Sequence, residues 1–253
     1  MCLTLFLTNN NATGQDIASL VPQKKPALWY LPSYFRIGAD ITRPIGSIVD
    51  RNSTAFEFNA DFDVFRQFLI TADFGMQDKA FSDDFNSADR GVELPHGGDI
   101  ILSRSMDDQI EGYYYKYGIA WNLSPRNPNY STIVLGLKRA QSIFDEKLDY
   151  SVQYQNWGDK AFAQSFSGKE YQATWYEITF GAQVQLWKDL MINTVGSYKF
   201  GKSVSGGNPE LLPSYAPGFG KLTSNKQLGI SLGLMYRINF KKPYIPAKKK
   251  KKK

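Results

Sequence analysis

Apolar and polar residues alternate with a period of two along eight stretches of this chain, and in each stretch the large apolar side chains share one face. In Thr54–Phe62, Phe56, Phe58, Ala60 and Phe62 oppose Glu57, Asn59 and Asp61. In Gly112–Leu123, Tyr113, Tyr115, Tyr117, Ile119 and Trp121 oppose Lys116, Gly118, Ala120 and Asn122. Lys226–Phe240 keeps Leu228, Ile230, Leu232, Leu234, Tyr236, Ile238 and Phe240 in phase. The other stretches are Ser33–Ile41, Phe68–Gln77, Ser131–Ala140, Gln172–Leu186 and Leu190–Phe200. A period of two is the signature of strands with one apolar face, and no helical repeat competes over a comparable span.

Eight such strands suit a soluble sandwich, a soluble barrel or a membrane barrel. Side-chain volume favours the last. An eight-stranded barrel has an interior only just wide enough for side chains. Seven large residues from the last strand, repeated around a ring, overfill that interior but fit when turned outward into lipid. Gly38, Gly75, Gly118, Gly136, Gly181, Gly229 and Gly233 then face inward. The connections, of about 11, 5, 33, 8, 31, 3 and 25 residues, alternate short and long as in outer-membrane barrels. Phe65, Phe68, Trp121, Trp187 and Phe240 fall near the short turns. Phe74, Tyr113, Tyr115, Tyr176, Tyr198 and Phe200 fall nearer the long loops, giving the two girdles expected at the membrane interfaces. Aromatics make up 15% of the chain, enough for both. No apolar run approaches the ~18 residues of a membrane-spanning helix. The expected fold is all-β: an eight-stranded antiparallel up-and-down transmembrane β-barrel over residues 33–240.

Three segments flank it. Residues 1–15, with the apolar run Cys2–Leu7 followed by small and polar residues, read as the remnant of a secretory signal peptide. Residues 16–32 contain Pro22, Pro26 and Pro32 around Trp29 and Tyr30, too Pro-rich for a strand interior. They are expected to run along the periplasmic mouth. Residues 241–253 form a Pro-containing linker and a basic block, Lys248, Lys249, Lys250, Lys251, Lys252 and Lys253. Those six lysines account for the whole formal net charge of +6, so the body of the chain is neutral. A nucleic-acid-binding domain spreads its basic residues over a folded face, so no nucleic-acid partner is expected. The basic tail, with Trp29 and Tyr30, is expected to meet outer-membrane lipid headgroups or an outer-membrane or periplasmic protein partner.

Phe35–Asp40 (FRIGAD), Tyr113–Asn122 (YYYKYGIAWN) and the closing strand with Phe240 resemble an uncharacterised family of Bacteroidota outer-membrane β-barrels, a domain of unknown function, from Tyr34 to Phe240. The resemblance implies an outer-membrane location in a diderm bacterium and brings no activity. Tyr236, Ile238 and Phe240 also resemble the C-terminal signal read by barrel-assembly machinery. Here the chain continues past that aromatic to Lys253. An even strand number places both chain ends on one side, expected to be the periplasm.

The inward face carries Arg36, Lys116, Lys138 and Arg237 against Asp40, Glu57, Asp61, Asp73 and Glu177. In a narrow lumen these charges are expected to pair and fill it rather than conduct. His96, in Leu94–Asp99 (LPHGGD) with Ser103 and Ser105 beyond, is the only histidine and the only base for acyl-transfer chemistry. A Pro/Gly turn in a long loop holds such a group poorly, so no catalytic residues are assigned. One cysteine and one histidine leave no thiolate or imidazole metal site. Asp83, Asp84, Asp89, Asp107 and Asp108 fit no calcium-loop spacing and read as a solvated acidic loop. Gly206–Gly207 reads as a turn. No cofactor is expected. The functional expectation is a non-catalytic structural or interaction subunit of an outer-membrane complex, acting through its loops and periplasmic tail. The alternative is a small transport or lipid-handling barrel, a narrow channel or a lipid A-modifying enzyme. It needs a continuous polar path or a lateral opening, and neither is visible in the sequence.

Overall fold

The structure, a computed structural model, describes residues 34–49, 53–64, 67–81, 101–124, 131–154, 161–209 and 211–240. Eight antiparallel strands close into a barrel. They are β1 (Tyr34–Asp40), β2 (Ser53–Val64), β3 (Phe68–Phe81), β4 (Ile101–Asn122), β5 (Thr132–Tyr154), β6 (Ala161–Trp187), β7 (Leu190–Ser205) and β10 (Lys226–Asn239). A helix, α1 (Thr42–Val49), follows β1, and a small hairpin, β8 (Tyr215–Ala216) and β9 (Gly220–Lys221), lies between β7 and β10. Each ring strand pairs with its neighbour in the chain, and β10 closes on β1 with Tyr34 opposite Asn239.

The register fixes the stagger. Ile37 pairs with Tyr236 on one side and Ala60 on the other. From Ala60 the row runs through Ala72, Tyr117, Arg139, Tyr176 and Phe200 to Lys226. It therefore returns to β10 ten residues from where it began, the shear that closes an eight-stranded sheet with tilted strands.

The expected faces are in place. Ile70, Ile119, Leu137, Ile178 and Phe180 are exposed on the outside. Thr71, Lys116, Asn122, Glu177 and Gln183 are buried inside. On β5 the outer apolar run ends at Leu137; Arg139 follows, then Gln141, which accepts a 2.7 Å hydrogen bond from Tyr115. Beside them lie Tyr176 against Phe200, 6.0 Å between centroids, and Tyr198 against Phe200 at 5.9 Å. This is the polar and aromatic rim of the apolar band.

Two long connections expected from the sequence hold strand where they are described: 78–81 and 101–111 in the first, and 141–154 and 161–171 in the second. β4 has 22 residues, β5 has 23 and β6 has 27, where a tilted strand needs only ~9–11 to cross a bilayer. The physical reason is an inversion of phase. Within the band, β5 turns Ile133, Leu135 and Leu137 outward. Beyond it, Phe144, Leu148, Tyr150 and Val152 point inward and are buried, while Asp145 and Lys147 face out. A wall leaving lipid for water must exchange its apolar face, so the alternation slips by one residue. Asp107 and Asp108, read as parts of an acidic loop, lie on opposite faces of β4. Asp107 is exposed and Asp108 is buried.

The connection after β1 is also not a plain loop. Pro44 has no N–H for a ladder but is tolerated in the first turn of a helix. β1 accordingly stops at Asp40 and α1 begins. The Asp40 carboxylate accepts the Thr42 backbone N–H at 2.7 Å, satisfying one of the unpaired donors of the helix start. Ser47 accepts the Ala55 N–H of β2 at 3.0 Å, so α1 stands in the wall where the upper half of β1 is missing.

Candidate functional site

The lumen is where the charged residues converge. Glu57, on β2, is its hub. Its carboxylate lies 2.9 Å from Arg43 and 3.3 Å from Lys116, and accepts the Tyr114 hydroxyl at 2.6 Å. Tyr114 has room because Gly75 faces it from β3: a Cβ at Gly75 would lie 2.1 Å from the ring. Lys116 lies 3.6 Å from Glu177, which also accepts the Trp175 indole N–H at 2.8 Å. Lys138 pairs with Asp73 at 2.6 Å, and Asn59 donates to Asp73 at 3.0 Å. Arg36 lies 3.0 Å from Asp61 and donates to Gln183. Arg237 pairs at 3.0 Å with Asp189, in the turn between β6 and β7. Asp40 lies 3.7 Å from Arg43.

All nine residues expected to line the lumen are thus inside and in ionic contact. The sequence reading missed Arg43 and Lys199. Arg43 sits on a helix where the alternation had ended. Lys199 was visible as an inward position of β7, since its neighbours Tyr198 and Phe200 face out. Asp189 was also missed, because a turn residue belongs to neither face.

Above this ionic layer lies an apolar one. The residues 211–225 fold back into the mouth of the barrel. Ala216, Phe219 and Leu222 pack with Ile110, Tyr114, Phe144 and Trp175, and the Phe219 ring meets Trp175 edge-on at 5.5 Å. Leu211 packs with Met106, Leu148, Tyr150 and Val152. Polar tethers hold the segment down. Tyr171 donates its hydroxyl to the Leu211 carbonyl at 2.7 Å, and Ser214 donates to Asp108 at 2.9 Å. Gln77 donates to the Tyr215 hydroxyl at 2.9 Å, and Lys199 donates to the Gly218 and Phe219 carbonyls at 2.6 and 3.2 Å. Gly218, at φ +78°, lies so close to the Tyr114 ring that a Cβ would clash at 2.6 Å. Gly206 and Gly207 also have positive φ, the turn read from the sequence. Burial raises the Tyr215 phenol above its ordinary pKa, and the Gln77 hydrogen bond opposes this only in part.

Among the described residues the wall has one break. β1 and β10 pair only up to Asp40 and Gly233, with one further bond from the Ile41 N–H to the Leu232 carbonyl at 2.8 Å. From Lys226 to Ser231, β10 pairs with β7 alone among the described residues. A polar cavity of about 70 Å³ lies behind the break, bordered by Gly229, Ser231 and Asn193, by Arg43, Lys116, Lys138 and Lys199, and by the carboxylates of Asp40, Glu57, Asp61, Asp73 and Glu177. Outside, the small residues Ala39, Ala60 and Ala72 leave a lipid-facing groove walled by Phe58, Phe74 and Tyr117. The sequence showed no lateral opening; the shortness of β1 creates the break.

Several residues weighed in the sequence lie outside the described residues: His96, Trp29, Tyr30, Lys248 to Lys253, Phe65, and Asp83, Asp84 and Asp89. So do the signal-peptide remnant and the Pro-rich and basic segments. Of the expected assembly signal, Tyr236 and Ile238 are outward on β10, and the Phe240 ring lies 6.3 Å from Phe62.

No curated protein matches the chain. Among solved structures it is similar to the attachment invasion locus protein Ail of Yersinia pestis, in complex with the heparin analogue sucrose octasulfate. That match has 13% identity, 82% of this chain and 98% of that chain covered, and a TM-score of 0.36. Acinetobacter baumannii CarO2 matches with 10% identity, 82% and 99% coverage and a TM-score of 0.39. Neisserial surface protein A matches with 8% identity, 83% and 96% coverage and a TM-score of 0.34. Residues 1–250 match the profile of a domain of unknown function, and the chain belongs to that family, DUF6048.

Proposed function

We propose that this chain is a sealed outer-membrane β-barrel that serves as a structural or interaction subunit rather than as a channel or an enzyme. One observation carries the reading: the lumen is closed twice, by an ion-paired layer around Glu57 and by an apolar layer around Phe219. A conducting path would have to break both. The outer-membrane assignment is supported by the apolar band and by the alternation of short turns with long connections. In this reading the chain ends and short turns lie in the periplasm. β4, β5 and β6 then carry a wall outside the cell that presents charged side chains, a surface suited to a partner. The basic tail is the second contact on the periplasmic side.

The test is fractionation followed by planar-bilayer recording. The protein is expected in the outer-membrane fraction, protease-sensitive from outside only at its long connections, and without stable conductance. A reproducible open state would overturn the sealed reading. Recovery in another compartment would overturn the location. Gentle extraction with counting of copurified proteins tests the subunit role, and a lone barrel would count against it.

A further inference from the structure

One register row of the outer face reads Tyr117, Arg139, Tyr176, Phe200 and Lys226, on β4, β5, β6, β7 and β10. Arg139 is the unusual member. Below it on β5, Ile133, Leu135 and Leu137 face outward, and Leu137 has Ile119 and Ile178 directly opposite, exposed like itself. Arg139 continues that outward phase, so an exposed cation stands at the upper edge of the apolar band. A charge left in hydrocarbon is costly, and the long stem of an arginine lets its head reach the headgroup layer instead.

The lumen cations Arg36, Arg43, Lys116, Lys138 and Arg237 each have a carboxylate within ion-pair distance. Among the described residues Arg139 has neither an ion pair nor a side-chain hydrogen bond. The lumen carboxylates cannot serve it, because they lie across the wall: its neighbour Lys138 points inward to Asp73. On its own face the next charge up β5 is Asp145, six residues on and about 20 Å along the strand. The surroundings of Arg139 are aromatic and donor-rich. Tyr117 and Tyr176 stand directly opposite it on either side. Tyr117 stacks on Tyr115 at 6.5 Å, and Tyr176 meets Phe200 at 6.0 Å, which makes two aromatic walls. Two residues further up the same face, the Gln141 oxygen accepts the Tyr115 hydroxyl at 2.7 Å. The polar capacity left to Gln141 is its amide N–H pair, for which the described residues hold no acceptor.

We propose that this notch on the outer face of β4, β5 and β6 is a binding site for the phosphate headgroup of a lipid of the surrounding leaflet. The phosphate accepts the paired N–H groups of the Arg139 guanidinium, a geometry that suits two of its oxygens at once, and an N–H of Gln141. An acyl chain of the same lipid lies down the band along Leu137, Ile119 and Ile178. The unpaired guanidinium selects an anion, and the apolar floor beneath it selects a chain-bearing one. Lys226 shares the row but stands three strands from Arg139, about 14 Å between Cα atoms, too far to hold the same phosphate. This deepens the membrane-barrel reading and rests on it.

The test is native mass spectrometry of the full-length protein, folded in non-ionic detergent. The probes are palmitoyl lysophosphatidic acid, the neutral monopalmitoylglycerol, and inorganic phosphate. One lysophosphatidic acid is expected to bind, with monopalmitoylglycerol weaker and phosphate alone absent. Arg139→Met is expected to weaken binding about tenfold or more, the loss of a charge-assisted contact. Lys226→Met, which removes the other cation of the row, is expected to leave it unchanged. Both substitutions are outward and spare the lumen, and the heat-induced gel shift of folded barrels reports whether each variant has folded. Equal binding of charged and neutral probes, or undiminished binding by folded Arg139→Met, would overturn the proposal. So would an equal loss in Lys226→Met, which would mean diffuse attraction to positive charge, or phosphate binding as tightly as the lipid, which would assign the notch to a soluble anion. The adduct is read in detergent, so its absence is distinguishable from a failure of the barrel to reach the outer membrane.

Discussion

Glu57 gathers two cations and a phenol at the centre of the lumen, and its burial makes those contacts matter. An ion pair in a dry interior is of doubtful net benefit, because desolvation offsets attraction. Removing one member is a different matter, since it leaves a buried charge without its counterion. Glu57→Ala takes from Arg43 and Lys116 their nearer carboxylate and leaves them only Asp40 at 3.7 Å and Glu177 at 3.6 Å. It is expected to cost about 3–5 kcal/mol in urea unfolding from lipid vesicles, as one member of a buried ionic cluster is removed. A loss below 1 kcal/mol would mean that water reaches the lumen and screens these charges. At this scale the sequence was informative. A charge on the inward phase of a strand is legible, as Glu57, Lys116 and Glu177 were. A charge on a helix or turn, as with Arg43 and Asp189, has no phase to read.

The segment between β7 and β10 behaves as an element in its own right, although it holds only a two-stranded hairpin. Its stability is tied to pH through Tyr215. The neutral phenol is favoured in the folded state, so the folded pKa lies above the unfolded value. The stability this contributes is fully present below pH ~10 and is lost as pH rises through the folded value. Proteolysis within 206–225 is therefore expected to be slow at neutral pH and to accelerate above pH ~10. Tyr215→Phe, which cannot ionise, should blunt that acceleration. An identical rise in both proteins would place the alkaline transition elsewhere. The long strands show why elements were harder to read than residues. A strand that keeps its pairing while its outside changes from lipid to water must shift its apolar face, and such a shift looks like an end. Phe144, Leu148, Tyr150 and Val152 are regular in themselves, but on the opposite phase from Ile133, Leu135 and Leu137.

Across the whole molecule the band and the wall above it predict opposite responses to the same substitution. Ile119 is 60% exposed on the outer face, in a row with Phe62, Ile70, Leu137 and Ile178. Ile119→Lys is expected to cost about 2–4 kcal/mol in vesicles, as a cation placed in hydrocarbon. Glu111 faces the same way on the same strand, with Asp78 and Asp145 directly opposite it. Like charges facing each other across strands destabilise a sheet. Glu111→Lys is therefore expected to leave stability unchanged or raise it by up to ~1 kcal/mol, measured by the same unfolding. Equal costs at the two positions would mean that the band is misplaced.

The sequence by itself determined the strand class, the number of ring strands and the face each strand turns outward. These follow from local alternation, because a one-residue slip would expose a whole face to the wrong solvent. It also placed nine charges in the lumen by phase alone. Only the tertiary structure decided which of those charges meet, that 211–225 fills the mouth, and that β1 stops short, so that over Lys226–Ser231 β10 pairs with β7 alone among the described residues. Those features depend on closure of the ring. Partners such as Gln77 and Tyr215, or Lys199 and Gly218, come together only when the shear of the barrel is fixed, and no local pattern in the chain encodes that juxtaposition.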